Sequence, residues 1–435
     1  MNEVYSDGPS QKKIKVDNGS QILSKEDHKN GDSLKKVENG YQDTETVKHE
    51  NTEISKKFRI GSRKSQLALF QTNFVADLLK KHYSGIRYEI VSMSTTGDKI
   101  LDVALSKASF KFLLVIGEKS LFTKELEVAL EKQEVQMVVH SLKDLPTTLP
   151  SGMVIGAICE RENPFDVVVF SPDYHCTNLK ELPDGRYSLY ISFETLKYTH
   201  RIHLDNKLFF IAFSIIGTSS LRRIAQLKKL LPKLQFENIR GNLNTRFRKL
   251  DEDKTYAALI LAAAGVIRLD LEHRIQQILT PEECLYAVGQ GALAIECKDN
   301  DFKTIKLLSQ ISDEATTLCC IAERAFMKAL EGGCSVPIGV YSKLENKKLT
   351  LKGGVFSLDG SKSIIEEMTS AVYEEKNAIA QNHYAGIIAP HLPHHILNAA
   401  ENLGKELAKQ FLKKGAGDIL KEARTSNVLL PPPKT

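Results

Sequence analysis

The chain of 435 residues has no tryptophan and only seven cysteines (159, 176, 284, 297, 319, 320 and 334), none forming a CxxC pair or a zinc-ligand spacing. An odd, unpatterned set of this kind suits a reducing compartment better than a disulfide framework and reads as free thiols, most of them buried. Long apolar runs are also missing. The richest stretch, Lys207 to Ile216, falls short of the ~18–20 residues that a membrane helix needs. Gly289-Gln290-Gly291 lacks the third glycine of a dinucleotide fingerprint, and no phosphate loop ending in lysine occurs, which removes the common nucleotide motifs. A net charge of +5 is small for this length, so the total charge gives no reason to expect nucleic acid.

Residues 1–56 contain no arginine, many acids, and Tyr5 and Tyr41 as their only aromatics. That is too little apolar surface to offset chain entropy, so a disordered tail is expected. It is unlike an arginine-rich transit peptide and lacks the apolar core of a secretory signal, which leaves the cytoplasm as the expected location. At 42% hydrophobic, the remainder is long enough for two or three cores.

What is present from Phe58 onward is an alternation of short apolar strands with amphipathic helical stretches, the pattern of an open α/β sheet. Val135–Val139, Val154–Ile158, Ile215–Ile216, Ala258–Ala262 and Leu293–Cys297 read as strands. Ser65–Lys81, Lys119–Lys132 and Thr316–Leu330 carry apolar residues three or four apart and read as helices. After Cys334 a strand pair around Thr350–Phe356, a Ser357–Gly360 turn and a helix over Ile396–Lys413 indicate a small α+β terminal domain.

The strand ends carry the chemistry. Val135–Val139 runs into His140-Ser141-Leu142-Lys143-Asp144, Ile215–Ile216 into Gly217-Thr218-Ser219-Ser220-Leu221-Arg222-Arg223, and Phe236–Ile239 into Arg240-Gly241-Asn242-Leu243-Asn244-Thr245-Arg246. Ligands of open α/β sheets bind beyond the carboxyl ends of strands, where helix N-termini offer free N–H groups. Arg63, Lys143, Arg222, Arg223, Arg240, Arg246 and Arg268 lie at or near such turns. Each alone fits a solvated face; their repetition favours a cleft for a ligand with many carboxylates or phosphates. Asp144 is an acid among cations, either a cap or ion-pair partner, or the stabiliser of a cation developing on a substrate. Cys334 follows Gly332-Gly333, which lets a thiol project from a loop, as an attachment point or as a nucleophile.

Seven motifs, in order, resemble those of the porphobilinogen deaminase (hydroxymethylbilane synthase) family, eukaryotic in type, from about Arg59 to Ala423. They are Gly61–Ala68, Met93–Lys99, His140–Pro146, Gly217–Arg223, Ile239–Arg246, Val288–Ala292, and Glu323-Arg324 through Cys334. The resemblance implies two periplasmic-binding-protein-like domains and a small α+β C-terminal domain. Their expected bounds are 57–161 with 289–312, 162–288, and 313–435. It implies a transferase of heme (tetrapyrrole) biosynthesis that condenses four porphobilinogens head to tail, with loss of ammonia, to hydroxymethylbilane.

By that likeness Cys334 carries dipyrromethane through a thioether, and Asp144 contacts pyrrole nitrogens and assists deamination and coupling. Lys143, Ser141, Thr218, Ser219, Ser220, Arg222, Arg223, Arg240, Gly241, Arg246 and Gln290 are expected on the cofactor. Arg63, Ser65, Arg222, Arg240, Arg246 and Arg268 are expected on the substrate's acetate and propionate groups. No metal, nucleic acid or membrane is implied, and a monomer is expected. A non-catalytic anion receptor of the same fold leaves Asp144 and Cys334 unexplained. A nucleic-acid-binding protein lacks its modules and aromatics. An inactive homologue would develop no colour from porphobilinogen. Two stretches depart from the family, Ala108–Val115 and roughly Arg186 to Phe213, the second rich in Tyr, Phe, Leu and Ile without a clear period. We read one or both as intron sequence translated in frame, which transcript sequencing tests.

Overall fold

Strand β1 (Lys57–Arg63) lies between β2 (Arg87–Met93) and β3 (Met137–Ser141), parallel to both. These are coordinates of a computed structural model that describes residues 57–97, 120–182, 200–204, 207–211, 214–331, 336–374 and 380–429. Beyond β3 the sheet adds a strand from far along the chain, β12 (Leu293–Lys298), and ends in β4 (Met153–Ile158), antiparallel to it.

The second sheet repeats this plan. Reading from its edge, β9 (Gln235–Glu237), β8 (Ile215–Gly217) and β10 (Ala258–Ala262) are parallel, then β5 (Asp166–Phe170) runs against β10 and β11 (Gln277–Ile278) against β5. In each sheet the reversed strand is the one that arrives from the other sheet. The chain therefore crosses twice, after β4 and after β11, and the doubled α/β architecture expected from the sequence is present. Strands β4 and β5 are buried along their whole length, as apolar runs covered on both faces should be, with Asp166 at the start of β5 the one charged residue among them.

Helices α1 (Gln66–His82) and α2 (Ser120–Glu131) pack on the first sheet. Around the second stand α3 (Leu221–Leu230), α4 (Leu243–Glu252) and α5 (Ala263–Ile267). After α6 (Phe302–Leu308), helix α7 (Glu314–Ala329) is buried from Thr316 to Met327. A helix buried on all sides must be covered by several layers. The cover is β4 on one side and, on the other, α8 (His394–Lys413) with the antiparallel sheet β13 (Ile338–Glu345), β14 (Lys348–Phe356) and β15 (Ser363–Ser370). Gly404 permits the α7–α8 approach, since a Cβ there would lie 2.2 Å from the Ala322 carbonyl. Helix α9 (Ala416–Leu429) closes this unit.

Two strands end elsewhere than the apolar runs indicated. The ladder with β12 pairs His140 with Ala294 and Ser141 with Leu293, so β3 extends into the polar residues after Val139. The run Phe236–Ile239 pairs only as Gln235–Glu237, opposite Ile215–Gly217, with Thr218 N–H donating to the Glu237 carbonyl at 3.0 Å beyond the ladder. The expected turn at Ser357–Gly360 joins β14 to β15. Residues 108–115 and the expected tail up to residue 56 lie outside the described residues, as does 186–199. Within the second atypical stretch, β6 (His200–Leu204) pairs antiparallel with β7 (Lys207–Ile211) as a separate two-stranded sheet. Among the described residues no helix is long and apolar enough to cross a membrane.

Candidate active site

At the end of β3 the Ser141 hydroxyl sits 2.9 Å from the amide nitrogen of Gln71 on α1. Leu142–Asp144 then form one 3-10 turn. Leu142 N–H bonds the Ala292 carbonyl at 3.0 Å, and buried Arg324 of α7 donates to the Pro146 carbonyl at 2.9 Å. The turn is thus fixed on both sides while Asp144 itself is exposed. Lys143 is half-buried. Loss of water lowers its ammonium from 10.5 to about 8, with Arg223 and Arg222 pressing the same way and Asp144 and Asp166 opposing.

Across from this turn are the ends of β8 and β9. Thr218 is buried, and the exposed Ser219 donates its hydroxyl to the Ile239 carbonyl at 2.8 Å, lacing the two strand ends together. Ser220 occupies the cap position of α3 without a side-chain cap bond. Gly241 has φ +113°, and a Cβ there would come within 2.6 Å of Thr245. Its carbonyl accepts from Arg246 Nε at 3.0 Å. Arg246 is half-buried and Arg240 exposed. Burial lowers the Arg246 guanidinium to about 10, reinforced by Arg223 and opposed by Asp144. Lys143, Asp144, Arg223 and Arg246 therefore lie within one another's field, and the strand ends of the two sheets face each other. A direct bond confirms the juxtaposition: Asn244 of α4 donates to Gln66 of α1 at 2.7 Å.

Arg222 and Arg223 are placed deeper than an anion-binding face would put them. Both are buried on the first turn of α3 and share the fully buried carboxylate of Asp166. Arg222 Nη1 is 2.6 Å from Asp166 Oδ2 and 2.6 Å from the Leu285 carbonyl. Arg223 reaches Asp166 Oδ1 through Nε at 3.0 Å and Nη2 at 2.8 Å, and the Ile260 carbonyl at 2.7 Å. Burial would raise the Asp166 carboxyl; the two guanidiniums outweigh it and hold it well below the usual carboxylate range. Asp166 is thus a second acid among these cations, set 56 positions from Arg222 and so not marked by any local motif.

Gln290 is also buried. Its Nε2 donates to Asp166 Oδ1 at 2.9 Å and the Pro164 carbonyl at 2.7 Å, which leaves its Oε1 buried without a partner. Arg268 donates to the Gly291 carbonyl at 2.7 Å. Arg63 lies at the end of β1 with its guanidinium 4.4 Å from the Phe122 ring centroid, and Ser65 caps α1 by accepting from Ala68 N–H at 3.3 Å. Cys334, with Gly332 and Gly333, lies outside the described residues.

Arg161 and Glu323 were not singled out from the sequence. Arg161 bonds Glu323 with two nitrogens at 2.6 and 3.1 Å, donates to the Gln290 carbonyl at 2.8 Å and lies over the Tyr286 ring. Glu323 also accepts from Gly289 N–H at 2.7 Å and the Ser342 hydroxyl at 2.6 Å. One buried carboxylate thus joins both crossing segments to α7 and β13. The only hint in sequence was Glu323-Arg324 within a motif.

The six described cysteines are free, all buried but the half-buried Cys176, and burial raises the thiol of Cys159 to about 12. Among the described residues no three His, Cys, Asp or Glu side chains could hold a metal ion. The cations Lys143, Arg240 and Arg246 at facing strand ends fit a ligand with several carboxylates.

The model described as "Porphobilinogen deaminase, dipyromethane cofactor binding domain" matches residues 58–306, and "Porphobilinogen deaminase, C-terminal domain" matches residues 317–389. A porphobilinogen deaminase of Prochlorococcus marinus (strain AS9601) is 43% identical over 366 residues, 84% of this chain and 96% of that protein. One from Gloeobacter violaceus is 48% identical over 303 residues, 69% and 81%. Among solved structures, the chain is similar to the periplasmic VFT2 domain of Bordetella pertussis BvgS at 12% identity and TM-score 0.30, covering 59% of this chain and 85% of that one.

Proposed function

The chain belongs to the porphobilinogen deaminase family, and on that premise we propose that Asp144 is its catalytic carboxylate and Cys334 the attachment point of its cofactor. The reaction is the family's: a transferase condenses porphobilinogen, with loss of ammonia, to hydroxymethylbilane in tetrapyrrole and heme biosynthesis. When bound, the dipyrromethane cofactor supplies the electron-rich pyrrole carbon on which the condensation starts.

The observation that carries the assignment is the exposed carboxylate of Asp144 on a fixed strand-end turn, within the field of Lys143 and Arg246. Each porphobilinogen brings two carboxylates, and cations hold and orient them. Arg63, Ser65, Arg222, Arg240, Arg246 and Arg268 take the substrate's side chains. Lys143, Ser141, Thr218, Ser219, Ser220, Arg222, Arg223, Arg240, Gly241, Arg246 and Gln290 take those of the cofactor. With its carboxylates so held, the substrate presents its pyrrole N–H and aminomethyl carbon to Asp144. As ammonia leaves, that carbon becomes electron-poor, and a carboxylate fixed beside it lowers the barrier electrostatically. Lys143 is protonated at pH 7, being below its value of about 8, and contributes charge to the carboxylate-binding side.

The two crossings support domains of 57–161 with 289–312, 162–288 and 313–435. Free thiols support residence in the cytoplasm, which imaging of a tagged chain tests, and light scattering tests a monomeric state. The decisive experiment is peptide mass analysis of protein made in cells that synthesise porphobilinogen. The peptide holding Cys334 should carry the mass of dipyrromethane, and Cys334→Ser protein should carry none and form no product. An unmodified Cys334 in active protein refutes the assignment.

A further inference from the structure

Asp166 is a fully buried carboxylate for which the reaction described above has no task. It opens β5, at the point where the chain arrives from the first sheet. On it converge Arg222 and Arg223 from the first turn of α3, and Gln290 from the segment that returns to the first sheet. Three separate elements are thus set by one side chain. A guanidinium this deeply buried is stable only when paired and hydrogen-bonded, and Asp166 supplies that pairing to both arginines.

Resting on the reading that Arg222 and Arg223 belong to the carboxylate-binding side of the site, we propose that Asp166 is a positioning residue for porphobilinogen. Its carboxylate fixes the depth and orientation of both guanidiniums and ties them through Gln290 to the crossing segment. Asp166 touches no substrate in this arrangement; it acts through the two arginines. The same carboxylate supports the charge of Lys143, which is faced by Asp144, Arg223, Asp166 and Arg222. Removing it leaves the two guanidiniums without their counter-charge and exposes Lys143 to their repulsion.

The test is steady-state kinetics on cofactor-loaded protein, loading being confirmed by mass, for Asp166→Asn and Asp166→Glu. Asp166→Asn should raise KM for porphobilinogen about tenfold with kcat lowered less than about threefold, the signature of lost binding rather than lost chemistry. Its loss of kcat/KM at alkaline pH should begin about half a pH unit or more below that of the wild type, because Lys143 loses a supporting charge. Asp166→Glu restores the charge but not the reach, so the alkaline limb returns to the wild-type position while KM stays raised about threefold. If Asp166→Asn does not fold, Asp166→Glu decides alone, and a wild-type KM in it overturns the proposal. A folded Asp166→Asn with wild-type KM and an unmoved limb does the same. Arg246→Gln run alongside separates the two levels: if it raises KM and the Asp166 variants do not, only the role of Asp166 falls. If it leaves KM unchanged as well, the underlying site assignment falls.

Discussion

At the end of β3 the chain leaves Asp144 in water, whereas on the first turn after β8 it takes two arginines, Arg222 and Arg223, out of water and closes them on Asp166. Both places are strand ends of the same kind, yet their energetics are opposite. An exposed charge pair contributes about 0–1 kcal/mol, so the protein can change Asp144 at little cost in stability. Breaking a buried pair costs about 3–5 kcal/mol because it strands a charge. The first end is therefore free to be spent on chemistry, and the second fixes the depth at which Arg222 and Arg223 stand on the binding side.

The comparison breaks if substitutions at the two ends have similar effects. The largest separation is expected on the binding side: Arg240→Gln combined with Arg246→Gln should raise KM for porphobilinogen about a hundredfold, with the melting temperature changed little, since Arg240 is exposed and Arg246 only half-buried. Equal loss of melting temperature and affinity would show that these arginines are scaffold as well. Next comes Arg222→Met, for which chemical denaturation should report a loss of about 3 kcal/mol. Arg248→Met on α4, whose pair with Glu252 is more than half exposed, should lose less than about 1 kcal/mol. The smallest effect is in pH. Lys143 is charged below about pH 8 and loses its proton above it, so KM should climb as pH rises through 8 while kcat holds. A Lys143→Arg variant, charged throughout, should flatten that climb.

Much of this was legible in the chain. Strands such as Val154–Ile158 and Ala258–Ala262 stand out because burial on both faces demands unbroken apolar runs, and the turns after Ile215–Ile216 and Ile239 announce themselves by Gly, Ser, Thr, Asn and Arg in close succession. The helix over Thr316–Leu330 was visible by its period, and the structure starts it two residues earlier because Asp313 caps it, accepting from Thr316 N–H at 2.7 Å. The illegible part was pairing at long range. Asp166 reads as the polar start of a β-strand, and nothing local says that it will meet Arg222 and Arg223, or Gln290 across 124 positions. Arg161 and Glu323, 162 positions apart, are hidden for the same reason. Sequence periodicity reports which face is buried; it does not report which buried charges find each other.

The account turns on Asp144 acting in the chemistry and not in the binding. Ammonia release by cofactor-loaded Asp144→Asn protein, measured beside calorimetric binding of porphobilinogen, tests this most directly. Release should fall by at least about a hundredfold, as expected for loss of a fixed charge beside a developing one, while affinity stays within about threefold of the wild type. Release near the wild-type rate, or a loss of affinity that accounts for the whole effect, would contradict it.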